Sequence, residues 1–487
     1  MCPSDWELRA SAVRGPRGEP RGPRRTEGAE ENRGGTEESN ARMTRRHGCA
    51  LLTAVLALIV VVSAVLHAGT ASDTRRRPAG PFAGGRTPTG SAAPVSTGTW
   101  VGAWAAAPAA AEPGTELHGM AGRSVRNVVH ASVAGTSARI TLSNLYGRSP
   151  LHITHASIAI AAREGSAAAA AGTMRRLTFS GAASVRVPPG GQVTSDAVRI
   201  AVPRGADVLV TTYSPASSGP VTHHPRARQI SYVAAGDRTE DTTGAPYTER
   251  TTVWRHLTAL DVLSTEAEGT VVVLGDSLTD GITSTVNANR RWTDVLARRI
   301  RAAVERGRDD VPRYSVVNEG ISGNRVLTSG LGRPADNPSG MVRFERDVLE
   351  RTGVEVVVIA LGINDILRSP RPAGPDEITA GLRALVERAH ARGLKVVGAT
   401  LMPFEGHRRY TPEREAVRQQ VNAEIRSGRV FDAVVDFDRA LRDPYAPRRL
   451  RPVYDSGDHL HPSDQGYRRM AEVFDLRELK GAVPATL

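Results

Sequence analysis

Five apolar runs constrain this chain more than any other feature. From Gly269 onward "TVVVLG", "YSVVN", "EVVVIALG", "KVVGATL" and "AVVDF" alternate with helical stretches such as "RRWTDVLARRIRAAVERG". A strand that is apolar at every position, rather than at every second one, has both faces covered. The intervening helices supply the cover: in the quoted stretch Trp292, Val295, Leu296, Ile300 and Val304 recur at helical spacing. The pattern predicts a three-layer α/β/α domain with a parallel sheet over 269–487. In open sheets of this kind ligands sit beyond the carboxyl ends of the strands, so the residues after each run are the ones to inspect.

The chain before Gly269 has a different rhythm. Between 99 and 265 it shows short alternating segments, among them "SARITLSNLYG", "LHITHASIAIA", "DAVRIAVP" and "ADVLVTTYS", separated by Gly, Pro and Ser turns. Such segments predict an all-β sandwich of jelly-roll type. Residues 72–98 are rich in Pro, Gly, Ser and Thr and read as a flexible linker. Residues 43–71 begin with a basic stretch at Met43, continue through an apolar run and end in small residues near Ala71. That is the layout of a secretory signal, with a membrane anchor through 50–66 as the alternative. Residues 1–42 are polar and without periodicity, so they are either disordered or not translated.

The residues that follow the apolar runs carry the chemistry. "VVVLGDSLTDG" brings Ser277, "NEGISGNRV" brings Gly323, "GINDI" brings Asn364, and "DHLHPSDQGY" brings Asp458 and His461. Over 269–475 these four blocks, in this order, resemble the SGNH hydrolase superfamily of GDSL esterases and lipases. With "MPFEG", "RQQVN" and "DPYAP" the chain is most similar to the secreted arylesterase/acylhydrolase branch associated with xylan breakdown. The resemblance implies Ser277 as nucleophile, His461 as general base and then acid, and Asp458 as its orienting partner. It also implies an oxyanion hole formed by the backbone N–H of Ser277, that of Gly323 and the Asn364 amide.

Elementary chemistry makes the same demands. A serine hydroxyl needs an adjacent base, and the base needs a third group to fix its tautomer. Asp458 and His461, three residues apart, can face the same way from one turn, with Pro462 holding His461 extended and able to start a helix. Asp276 and Asp280, which flank the serine, read as loop and helix-start hydrogen-bonding groups. His459 and His461 lack the distant ligand cluster that zinc requires, so neither metal nor organic cofactor is expected. His223 and His224 read as loop residues without a role.

Composition removes other classes. The net charge of +12 comes almost wholly from arginines scattered among acids, with no basic stripe interleaved with aromatics, so nucleic acid is not an expected partner. Both cysteines, Cys2 and Cys49, precede the expected mature protein. No stable membrane association is expected after signal cleavage, and oligomeric state is not legible. The leading reading is a secreted serine esterase for short acyl esters on a small molecule or polysaccharide. A lipase or phospholipase for longer chains is the alternative, and a non-catalytic surface-binding protein on a hydrolase scaffold is the second. The Gly-rich stretch "RVLTSGLGRPADNPSGM" is expected to overhang the site. Trp100, Trp104, Tyr146, Tyr213 and Trp254 are read either as sugar-stacking residues or as core and interface.

Overall fold

The computed structural model describes residues 98–368 and 373–480. The expected N-terminal extension, the signal with Met43 and Ala71, both cysteines, and the linker as far as 97 lie outside the described residues. Among the described residues no helix is long and apolar enough to cross a membrane.

The apolar runs form five parallel strands. Their spatial order is Tyr314–Gly320, Gly269–Gly275, Val354–Ala360, Lys395–Ala399 and Ala433–Val435. Numbered along the chain this is 2-1-3-4-5, with the first strand inside the sheet and the order reversing beside it. In doubly wound sheets that reversal opens the crevice in which ligands bind. Gly269–Gly275 is buried along its whole length, as a strand covered on both faces must be. Val272 and Leu274 point into a core shared with Phe344, Ile378, Leu382 and Leu385 on one face. Val271 and Val273 join Trp292, Leu296, Ile300 and Met470 on the other. This alternation along one strand shows why the run had to be apolar throughout.

Upstream, two antiparallel sheets pack face to face. One contains Thr99–Ala105, Leu257–Ser264, Gly135–Ser143 and Val198–Val202, with Gln192–Thr194 beside it; the other is built around Ser231–Ala235, Arg123–His130, Asp207–Ser214 and His155–Ile160. Val101, Ile140 and Leu260 from the first meet Val129, Ile158 and Val210 from the second in a single core. Trp104 and Trp254 stack edge to face at 4.8 Å between centroids, and both are buried, as is Tyr146. These three are core or interface residues, out of reach of a sugar ring.

The sandwich and the parallel-sheet layer belong to one compact unit. The first sandwich strand lies directly on the parallel sheet: the Gly102 N–H donates to Thr270 Oγ1 at 3.0 Å. A Cβ on Gly102 would come within 3.0 Å of Val317, so a larger residue would push the two layers apart.

Candidate active site

Ser277 heads a four-residue helix, Ser277–Asp280, at the carboxyl end of the buried strand Gly269–Gly275. The turn is tight because Asp276 caps it, its Oδ1 accepting from Leu278 N at 2.9 Å. Gly281 then closes the helix in the left-handed region, with φ +83°. The serine is thus held at a strand end by its neighbours on both sides.

His461 arrives from the far end of the chain. Its Nε2 lies 2.8 Å from Ser277 Oγ, and its Nδ1 lies 2.5 Å from Asp458 Oδ2. Asp458 orients the histidine twice over: Oδ1 accepts the backbone N–H of His461 at 2.8 Å and that of Leu460 at 3.0 Å, a local turn closed by the side chain. Burial alone would raise the Asp458 carboxyl. The hydrogen bonds from the His461 ring and backbone outweigh it and hold the group well below the usual carboxylate range. The helix after His461 begins at Asp464 with Ser463 as its cap, so Pro462 precedes the helix and does not start it.

Of the expected oxyanion donors, Ser277 and Asn364 line one cleft, and Gly323 lies beside its Arg368 wall. Gly323 has φ +81°, a left-handed conformation suited to glycine, and a Cβ there would sit 3.1 Å from the Arg368 guanidinium carbon. Asn364 lies in the short helix Ile363–Leu367 beyond strand Val354–Ala360. Its Oδ1 accepts from Arg368 Nε at 2.9 Å, and since arginine only donates, this fixes which end of the amide is nitrogen. That nitrogen donates one hydrogen to Asp276 Oδ2 at 3.2 Å and retains a second. Among the described residues no acceptor meets the backbone N–H of Ser277 or of Gly323. Asp276 lies beneath this cluster, and complete burial pushes its carboxyl up to about 7.

A cleft of about 490 Å³ opens above Ser277. It is lined by Asn364, Leu367 and Arg368, by the segment Gly406–Arg409, and by Gly457–His461. The loop of residues 325–341, expected to overhang the site, contributes none of this lining. It turns toward the sandwich, where Tyr146 Oη donates to the Ala335 carbonyl at 2.9 Å and Asn337 N to that of Ala109 at 2.6 Å. Gly406 closes the quoted stretch "MPFEG", whereas Arg368 and residues 407–409 were not singled out from sequence. Burial, and then the nearby Arg409, lower the Arg368 guanidinium from its ordinary value.

The remaining candidates are placed as well. His459, with φ +62°, pairs its Nδ1 with Asp455 Oδ2 at 2.6 Å. Among the described residues no group of three or more His, Cys, Asp or Glu could hold a metal ion. His223 and His224, read as loop residues, instead form the buried strand Thr222–His224. They pair there with Trp254–Arg255 and Ala110–Ala111.

Residues 273–469 match the model of the GDSL-like Lipase/Acylhydrolase family. No curated protein matches the chain. Among solved structures, an acetylxylan esterase of Geobacillus stearothermophilus, Axe2, is 23% identical, with 44% of this chain and 94% of that one covered and a TM-score of 0.33. A GDSL-like lipase of Bacteroides thetaiotaomicron is 21% identical, covering 42% and 85%, with a TM-score of 0.30. LAE5, an alpha/beta hydrolase from the metagenome of Lake Arreo, is 22% identical, covering 42% and 93%, with a TM-score of 0.33.

Proposed function

Taking residues 273–469 as the GDSL-like lipase/acylhydrolase domain they are, we propose that this hydrolase cleaves short-chain acyl esters, acetyl or aryl, through a serine acyl-enzyme. The observation that carries the reading is the continuous contact from Asp458 through the His461 ring to Ser277 Oγ. Asp458 can only accept, so Nδ1 carries the hydrogen and Nε2 presents a lone pair to the serine hydroxyl. As Ser277 Oγ attacks the ester carbonyl, its proton passes to His461 Nε2, and Asp458 stabilises the imidazolium that results. The carbonyl oxygen, now negative, takes the N–H groups of Ser277 and Gly323 and the remaining Asn364 hydrogen. The cationic rim of Arg368, Arg408 and Arg409 adds to that stabilisation. His461 returns the proton to the leaving alcohol, then draws one from a water whose oxygen attacks the acyl carbon, and hands it to Ser277 Oγ as the ester bond to the serine breaks and the acid leaves.

Chain length follows from the walls of the cleft. Among the described residues Leu367 and Leu460 are its only aliphatic lining residues, and the rest are Gly, Asn, Asp, Ser, His and Arg. Such a surface suits a small acyl group on a polar alcohol, including a polysaccharide hydroxyl, and leaves a long alkyl chain against charge. Export of the protein follows from the signal-like residues 43–71.

A series of nitrophenyl esters tests the reading. kcat/KM should peak at acetate to butyrate and fall as the chain lengthens. A maximum at eight carbons or more replaces it with a lipase, and no turnover of any ester replaces it with a binding protein.

A further inference from the structure

His224, in the sandwich, makes contacts that a merely packed histidine would not need. Its ring is 4% exposed and lies against Trp254, 5.5 Å between centroids. Nδ1 is 2.8 Å from the Ala107 carbonyl oxygen, which only accepts, so Nδ1 carries a hydrogen. Nε2 is 3.1 Å from Asp280 Oδ1, where a hydrogen is needed too. Both ring nitrogens of His224 are thus engaged, one by the backbone at Ala107 and the other by Asp280.

The far side of Asp280 reaches the oxyanion loop. Its Oδ2 accepts the Ser322 hydroxyl at 2.5 Å and the Ser322 backbone N–H at 3.0 Å. Asp280 is the last residue of the helix that Ser277 begins, and Ser322 immediately precedes Gly323. The packing between them leaves no slack, since a Cβ on Gly320 would come within 2.4 Å of the Asp280 nitrogen. A second grip lies alongside: Ala107 and Ala109 of the sandwich side pack on Ile321, all three buried.

We propose that His224 is a positioning residue for ester hydrolysis: through Asp280 and Ser322 it sets the Gly323 N–H against Ser277 Oγ, making the sandwich a working part of the active site. The inference rests on the reading of Gly323 as an oxyanion donor. The three contacts form one chain, His224 to Asp280 to Ser322, and each is a hydrogen bond between buried or half-buried groups. Removing the first leaves an Asp280 oxygen buried and unpaired, and the carboxylate then relaxes by pulling on Ser322. Substrate binding in the cleft is unaffected, because none of these residues lines it.

The test uses the full-length chain with His224→Met, His224→Gln, Ser322→Ala and the double variant His224→Met/Ser322→Ala. His224→Met should lower kcat by roughly ten- to a hundredfold with KM within about twofold, the signature of a lost transition-state interaction. Glutamine places an amide nitrogen near the position of Nε2, so His224→Gln should recover most of kcat. Because His224 and Ser322 act on one element, the double variant should lose less than the product of the single losses. A folded His224→Met with unchanged kcat, or a loss confined to KM, overturns the proposal. So does a glutamine variant no better than methionine. If the methionine variant does not fold, Ser322→Ala decides, because it removes the hydroxyl contact at the other end of the chain, and unchanged kcat in that variant overturns the idea. Labelling of the wild-type protein with a fluorophosphonate keeps the two readings apart: absence of label at Ser277 removes the serine mechanism itself, whereas label at Ser277 with the outcomes above removes only the role of His224.

Discussion

Two histidine–aspartate pairs flank the helix that begins at Ser277. In the cleft, His461 and Asp458 keep 13% and 46% of their side-chain surface exposed; on the other side, His224 and Asp280 keep 4% and 3%. Each imidazole has one nitrogen on a carboxylate. The difference lies in the other nitrogen. For His461 it faces a hydroxyl, which has a proton to give, whereas for His224 it faces a backbone carbonyl, which has none. The first arrangement is a route for a proton and the second is a clamp, although both are built from the same two residue types. A histidine's role follows from the proton inventory of its neighbours.

The comparison can be broken at its centre or sharpened at its edges. Ser277→Ala has the largest expected effect: turnover and fluorophosphonate labelling should both vanish, because no acyl-enzyme forms. Labelling that persists at one site would identify a different nucleophile. His461→Ala should follow, with kcat reduced by roughly ten-thousandfold or more and the Ser277 hydroxyl still present but unactivated. A loss no larger than that of His224→Met would erase the distinction between route and clamp. Asn364→Ala should cost about a hundred- to a thousandfold in kcat, with slow labelling retained, since one donor is lost while nucleophile and base remain. Retention of full activity would remove Asn364 from the oxyanion hole.

The smallest effect is on stability and concerns Asp276. Its carboxyl is raised from 3.8 to about 7 by burial, so between those values the folded protein holds a proton that the unfolded chain releases. This group's contribution to stability is therefore fully present below about pH 4 and is lost as pH rises to 7. Asp276→Asn keeps an acceptor for Leu278 N but does not titrate. The difference in Tm between variant and wild type should shift in favour of the variant from pH 4.5 to pH 8. A constant difference would show that Asp276 ionises normally.

The parallel-sheet region was the more legible half. Its five apolar runs became five strands because a strand buried on both faces has no freedom to be polar. Ser277, Gly323, Asn364, Asp458 and His461 could be named because each stands in a block that resembles those of the GDSL hydrolases, and the structure places Ser277, Asn364, Asp458 and His461 in one cleft with Gly323 beside its Arg368 wall. His224 gave no such signal. Its partners, Ala107 and Asp280, are 117 and 56 residues away, and a contact of that range leaves no local pattern. Arg368 and the segment 407–409 were missed for the same reason, as walls assembled from distant turns. The loop 325–341 shows the converse: its polarity was readable, but its direction depended on Tyr146 and Ala109 in the other layer.

The contact between Gly102 and Thr270 also has a bearing on the order in which the protein is made. Gly102 leaves the ribosome 168 residues before the threonine it must meet, and the Thr352 carbonyl, to which its N–H also donates, comes later still. The opening strand of the sandwich therefore cannot reach its final environment until the first two of the five parallel strands have been synthesised. Contacts of such separation slow folding, because a long loop is closed before the contact repays it. A nascent chain stopped before Gly269 carries an unfinished surface on Thr99–Ala105, and the two halves reach maturity together.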